Sequence, residues 1–228
     1  MRRRILQMTA VAIIVFAMVS TVGVGVMAKR HMQSPDAQDS KMSALAFHDA
    51  MRKLWEDHIT WTRLVIVDLA SGAAETNATV TRLLQNQVDI GNAIKPFYGD
   101  QAGAQLTSLL TTHILQAANI IVDAKAGNTA GATENITAWY ENANEIAAFL
   151  NSANPSNWPL EQMKDLMKMH LDLTLKEATA QLEGNYTLSV STYELVHQEI
   201  LKMADVLSNG IILQFPQMFT ALGTVVGK

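Results

Sequence analysis

The chain contains no cysteine. Disulfides, thiolate catalysis and zinc–sulfur sites are therefore excluded, and any redox compartment is compatible with the composition. Aromatic residues make up 6% against 49% hydrophobic residues, an aliphatic balance that suits helices. Charge is weak: the formal net charge of the 228 residues is −4. No basic patch points to nucleic acid as a partner, and no acidic tail points to a solvating segment. Three signature motifs are also missing: a glycine-rich phosphate loop, a Gly-x-Ser-x-Gly elbow and a zinc-protease helix. Beyond the N-terminus, enough length remains for a sizeable core in one domain.

The N-terminus points out of the cytoplasm. Arg2, Arg3 and Arg4 precede an apolar run from about Met8 to Met27. Val26-Met27-Ala28 places small residues at the −3 and −1 positions of a cleavage site, so residues 1–28 read as a signal peptide. The alternative is an uncleaved anchor, since the run approaches the ~20 residues that span a bilayer; the membrane is then a partner through this segment. Either way the rest of the chain is extracytoplasmic. Residues 29–42 are polar, contain Pro35 and read as a linker.

The remainder is organised by one pattern used three times. Leu54, Leu109 and Leu166 each stand four residues before a histidine (His58, His113, His170). Ile or Leu follows each histidine, and Gly72, Gly127 or Gly184 closes the segment fourteen residues after it. A second helix follows each copy. Leu84–Ile90 matches Tyr140–Ile146, with a weaker third copy at Val196–Ile200, and Pro96, Pro155 and Pro216 end these second helices. A period of about 55 residues is that of a helical hairpin. One hairpin cannot bury its apolar stripe alone, so the copies must pack on one another. The expected fold is all-α: an up-and-down bundle of about six helices over 43–216, built as three antiparallel hairpins, with a loose tail over 217–228.

Four histidines fall on the core stripes of their helices: His58, His113, His170 and His197. A buried imidazole needs a partner, and Glu177 and Glu194 lie along the same faces. Glu194 stands three before His197, the ligand step of carboxylate-bridged dimetal bundles, although such a site needs two steps and two further glutamates. One reading is a metal site of His58, His113, His170, His197, Glu177 and Glu194, with a transition metal ion as cofactor. The other is a set of structural histidines with local partners. Asn86 and Asp89 in one second helix match Asn142 and Glu145 in the next, and these four are candidates for a ligand pocket. A helical wheel sets Asp89 and Glu145 opposite their apolar stripes. Asn77, Asn135 and Asn185 open glycosylation sequons at the starts of the second helices, where Asn and Thr also serve as caps.

The segments Leu54-Trp55-Glu56-Asp57-His58, Arg82-Leu83-Leu84-Gln85-Asn86, Pro96-Phe97-Tyr98-Gly99 and Trp139-Tyr140 with Glu145-Ile146 resemble an uncharacterised family of prokaryotic helical proteins. The resemblance covers about residues 50–216 and implies a single domain. Its members are often labelled glycosyltransferases, which this chain does not support: a nucleotide-sugar fold needs alternating strands and helices. The expected function is that of an exported, non-catalytic binding or structural domain. The alternative is a metal-binding or redox bundle using the core histidines.

Overall fold

A computed structural model describes residues 41–220. The expected signal or anchor over 1–28, most of the linker and the tail from 221 lie outside the described residues. The described chain is all-helical apart from two strands of two residues each: β1 (Met42–Ser43), α1 (Ala44–Ser71), α2 (Thr76–Ala126), α3 (Thr129–Ala153), α4 (Leu160–Leu182), α5 (Tyr186–Gln214), a short 3-10 turn (Pro216–Met218) and β2 (Phe219–Thr220). None of the described helices is long and apolar enough to cross a membrane.

Local chemistry sets the helix ends. The Ser43 hydroxyl accepts the Ala46 N–H at 3.2 Å, and Asn128 and Asn185 accept the N–H groups of Gly131 and Leu188 at 3.1 Å. These side chains satisfy donors that a helix start leaves free. Pro159 precedes the first residue of α4. Gly72 and Gly127 end α1 and α2 in the left-handed region, at φ 75° and 73°, and Gly184 follows α4 at φ 74°. Along α1 the buried positions Phe47, Met51, Trp55 and Ile59 recur every four residues and form the stripe that faces the core.

The expected stop at Pro96 is displaced. Helical geometry continues through Pro96 and breaks at Gly99, with φ 85° and ψ 168°. That region is closed to side chains, so the bend falls at the residue able to adopt it. The two halves of α2 then lie against each other. Gly91 and Gly103 meet so closely that a Cβ on either would stand 2.6 Å from the other's carbonyl oxygen. The Thr107 hydroxyl donates to Gly103 O at 3.0 Å and reaches Gln87 O at 3.4 Å.

Consecutive helices pack side by side, and α5 packs back on α1, closing the bundle. The core runs along its axis from Phe47 and Phe97 at one end to Ile66, Ile121 and Ala178 at the other. The tail differs from expectation. Met42 and Ser43 pair in parallel with Phe219 and Thr220. Phe219 is buried, 5.3 Å from the Phe47 ring and stacked at 5.5 Å on Phe97. Residues 217–220 are therefore tied to the bundle through the buried Phe219 ring, with Met218 packed beside it on the core.

Candidate functional site: a buried polar layer

Helical spacing carries His58, His113 and His170 onto the inner faces of α1, α2 and α4, where each is only 2–3% exposed. Each ring meets a polar side chain of the following helical segment through Nδ1. Gln87 Nε2 lies 3.4 Å from His58 Nδ1, His113 Nδ1 lies 3.0 Å from Asn142 Oδ1, and His170 Nδ1 lies 3.0 Å from Glu199 Oε2. The three contacts share one sequence separation, 29 residues. The amides also bind the facing helix. Asn86 Nδ2 donates to Leu54 O at 3.0 Å and Asn142 Nδ2 to Leu109 O at 3.3 Å, in each case the carbonyl four residues before the histidine.

Polarity of the partners places the Nδ1 hydrogen of two of the three rings. Asn142 Oδ1 and the Glu199 carboxylate accept, so His113 and His170 carry hydrogen on Nδ1. The Gln87 Nε2 amide has two hydrogens for three acceptors, Leu83 O at 2.8 Å, Asn86 Oδ1 at 3.3 Å and His58 Nδ1 at 3.4 Å, so His58 has the longest contact of the three. Asn86 Oδ1 lies near His58 and favours its charged form, but this oxygen accepts from Gln87 Nε2 at 3.3 Å, and the Gln87 amide is the group within bonding reach of Nδ1.

Burial, reinforced by the nearby His170 and His113, holds the His58 pKa well below the ordinary 6.5. Burial and then His170 push His113 down to about 3. Both are neutral imidazoles at pH 7. The His58 and His170 rings lie 5.7 Å apart, whereas His113 packs on Trp139 at 5.1 Å.

Glu177 is buried on the same face as His170, one layer further along. Arg63 Nη1 donates to Glu177 Oε1 at 2.6 Å and to Ser189 Oγ at 3.2 Å, with its guanidinium 5.1 Å from the centre of the Tyr193 ring. Burial raises the Glu177 pKa against the opposing pull of Arg63 and His170.

The remaining candidates stand apart from this layer. His197 is half-buried and contacts Glu56 through Nε2 at 2.7 Å. Glu194 and Glu145 are exposed. Asp89 accepts from Gln85 at 3.0 Å and lies 3.7 Å from Arg82. Of the four pocket candidates, Asn86 and Asn142 therefore join the histidines, while Asp89 and Glu145 face outward as the helical wheel indicates. Sequence reasoning missed Gln87, Glu199 and Arg63. For Glu199 a signal existed, since it follows His170 at the interval by which Asn142 follows His113.

Small apolar cavities flank the layer. One of about 30 Å³ is lined by Thr62, Ala117 and Thr174, each four residues beyond a histidine. Another of about 20 Å³ lies on the opposite side, against Met51, Trp55 and Met167. Among the described residues, no three His, Asp or Glu side chains are grouped to hold a metal ion. Comparison of the chain with known protein families, with curated proteins and with solved structures gave no match.

Proposed function

We propose that this chain is an extracytoplasmic helical-bundle domain, made of three hairpins of one pattern, that acts as a binding or structural module rather than as a catalyst. The observation that carries the reading is the use of Nδ1 in His58, His113 and His170: each contacts the next helical segment at the same 29-residue separation. Each histidine thus ties the two helices of one hairpin together. The bend at Gly99 supports counting α2 as two helices, which gives six in all. Export rests on the arginine-led apolar run over 1–28.

The test is the stability of His58→Gln, His113→Gln and His170→Gln in denaturant. Each is expected to lose about 1–3 kcal/mol, the cost of leaving a buried partner unsatisfied. Unchanged midpoints in all three would remove the structural role. Mass spectrometry of protein from the native host tests export, with Lys29 expected as the mature N-terminus.

A second reading, a metal-binding or redox bundle, is favoured by the 5.7 Å approach of the His58 and His170 rings. Nδ1 bonds to carboxylate or amide oxygens, as in His113 and His170, are also how metal-ligating imidazoles are oriented. Elemental analysis of purified protein, with melting followed in the presence of chelator, decides it.

A further inference from the structure

The sequence offers three glycosylation sequons: Asn77-Ala78-Thr79, Asn135-Ile136-Thr137 and Asn185-Tyr186-Thr187. Their residues alone give them equal standing, but the folded bundle does not. A glycan-transferring enzyme must reach the Asn amide nitrogen and the hydroxyl two residues on, and must fit the backbone between them into its own site.

Asn135 fails at the nitrogen. It is half-buried inside α3, where Nδ2 donates to Asp123 Oδ2 at 2.9 Å and to Gly131 O at 3.1 Å. A side-chain amide has two hydrogens, so both are committed. The Thr137 hydroxyl is turned back onto Thr133 O at 3.0 Å. Asn77 is exposed but fails at the hydroxyl and the backbone. It lies within α2, and the half-buried Thr79 hydroxyl donates to Asp68 Oδ2 at 2.7 Å. Asn185 meets every requirement. Residues 183–187 are all exposed. Asn185 stands outside the helical run, with ψ 69°, between Gly184 in the left-handed region and the first residue of α5. Its side chain engages through oxygen alone, Oδ1 accepting the Leu188 N–H at 3.1 Å. Among the described residues, neither Asn185 Nδ2 nor the Thr187 hydroxyl bonds to another protein group.

We propose that Asn185 is the N-glycan acceptor of this chain, and that Asn77 and Asn135 stay bare. This role rests on the export reading, because the donor and the transferring enzyme act outside the cytoplasm. The donor is an oligosaccharide joined through phosphate to a lipid. Asn185 Nδ2 forms a bond to the anomeric carbon, the anomeric C–O bond to phosphate breaks, and the lipid phosphate leaves with the electron pair. The amide gives up one proton to a base of the transferring enzyme, and nothing is oxidised or reduced. The product keeps its amide carbonyl, so Oδ1 still caps α5. At Asn135 the same reaction would remove a hydrogen that holds Asp123 or Gly131. Apolar surface also lies beside the acceptor: Tyr186 is 62% exposed and Val190, one turn on, 52%. A glycan on Asn185 shields that surface from water.

Glycopeptide mass spectrometry of the full chain purified from its native host tests this. A glycan is expected on the peptide that carries Asn185, with Asn77 and Asn135 unmodified. A bare Asn185 overturns the proposal, and so does a glycan on either of the other two. Thr187→Ala removes the sequon and leaves the Asn185 cap in place, so the intact protein should lose the whole glycan mass, whereas Thr187→Ser should keep it. Retention of the glycan in Thr187→Ala assigns it to another residue and also overturns the proposal. Protein recovered outside the cytoplasm with a bare Asn185 sinks this role and leaves the export reading standing. Protein retained in the cytoplasm sinks both.

Discussion

At the residue scale, a buried imidazole exchanges solvation for one directed bond, and the exchange leaves a pH signature. Unfolded histidine takes a proton near pH 6.5, whereas folded His113 does so only at about 3. Between those values the unfolded chain holds the extra proton. Stability from this residue is therefore complete above pH 6.5 and is lost as the pH falls toward 3. The slope approaches about 1.4 kcal/mol per pH unit for each such histidine, and His58 shifts in the same direction. Urea midpoints measured at pH 7 and pH 5 should fall steeply in the wild type and less steeply in His113→Gln; equal slopes would mean that His113 titrates normally. Glu177 acts in the opposite sense just above pH 4.5, because burial raises its pKa. Its ion pair gives a second prediction. Arg63→Met strands a buried carboxylate and should cost about 3–5 kcal/mol. The double variant Arg63→Met, Glu177→Leu should recover much of that loss, because no charge is left unpaired. Recovery is read from denaturant midpoints, and a double variant as unstable as Arg63→Met would show that packing, not charge, sets the cost.

At the element scale, α2 folds back on itself, and glycine rather than proline controls where it bends. Pro96 is conspicuous in the sequence because it restricts the residue before it and removes a helix donor. Near a helix end that loss amounts to a single bond, so the helix runs on to Gly99, whose φ of 85° and ψ of 168° exclude a Cβ. Gly99→Ala should cost about 1–3 kcal/mol through backbone strain. Gly91→Ala and Gly103→Ala should cost a similar amount for a different reason. Each adds a Cβ 2.6 Å from a backbone oxygen of the opposite half of α2, which cannot rotate away. Melting of the three variants checks both claims, and a stable Gly91→Ala would mean that the two halves separate freely. The Leu-x-x-x-His…Gly spacing was legible because helical period and glycine caps are local properties. The partners of the histidines were not. Gln87 and Asn86 are adjacent in sequence, and only the approach of α1 determines which amide reaches the ring. Likewise Glu177 looks like a ligand for His170 along its own helix, yet it bonds to Arg63 from another.

At the scale of the whole molecule, the bundle closes twice: α5 returns to α1, and β2 returns to β1. The second closure is small in backbone terms, two residues on each side, but it seats Phe219 at 4% exposure between Phe47 and Phe97. The sequence concealed it. Glycines at 223 and 227 and the lack of helical period make the tail look loose, and a two-residue strand leaves no periodic signal. Its consequence can be measured. Phe219→Ala should cost about 3 kcal/mol, the lower range for a core phenylalanine, because the 3-10 turn before it can partly collapse into the space. Shortening the chain to begin at Ser43 keeps the cap of α1 but removes Met42 from β1 and should also destabilise the protein, since the Met42 backbone pairs with Phe219 in β2. The two changes disrupt one structure, so their effects should not add: the doubly altered protein should be little less stable than the worse of the two. Full additivity in denaturant midpoints would show that Phe219 is held by the Phe47 and Phe97 rings alone, with no contribution from the strand pairing. A combined loss no larger than the worse single loss would show that β2 and the segment entering α1 act as one clasp over the Phe47 and Phe97 end of the core.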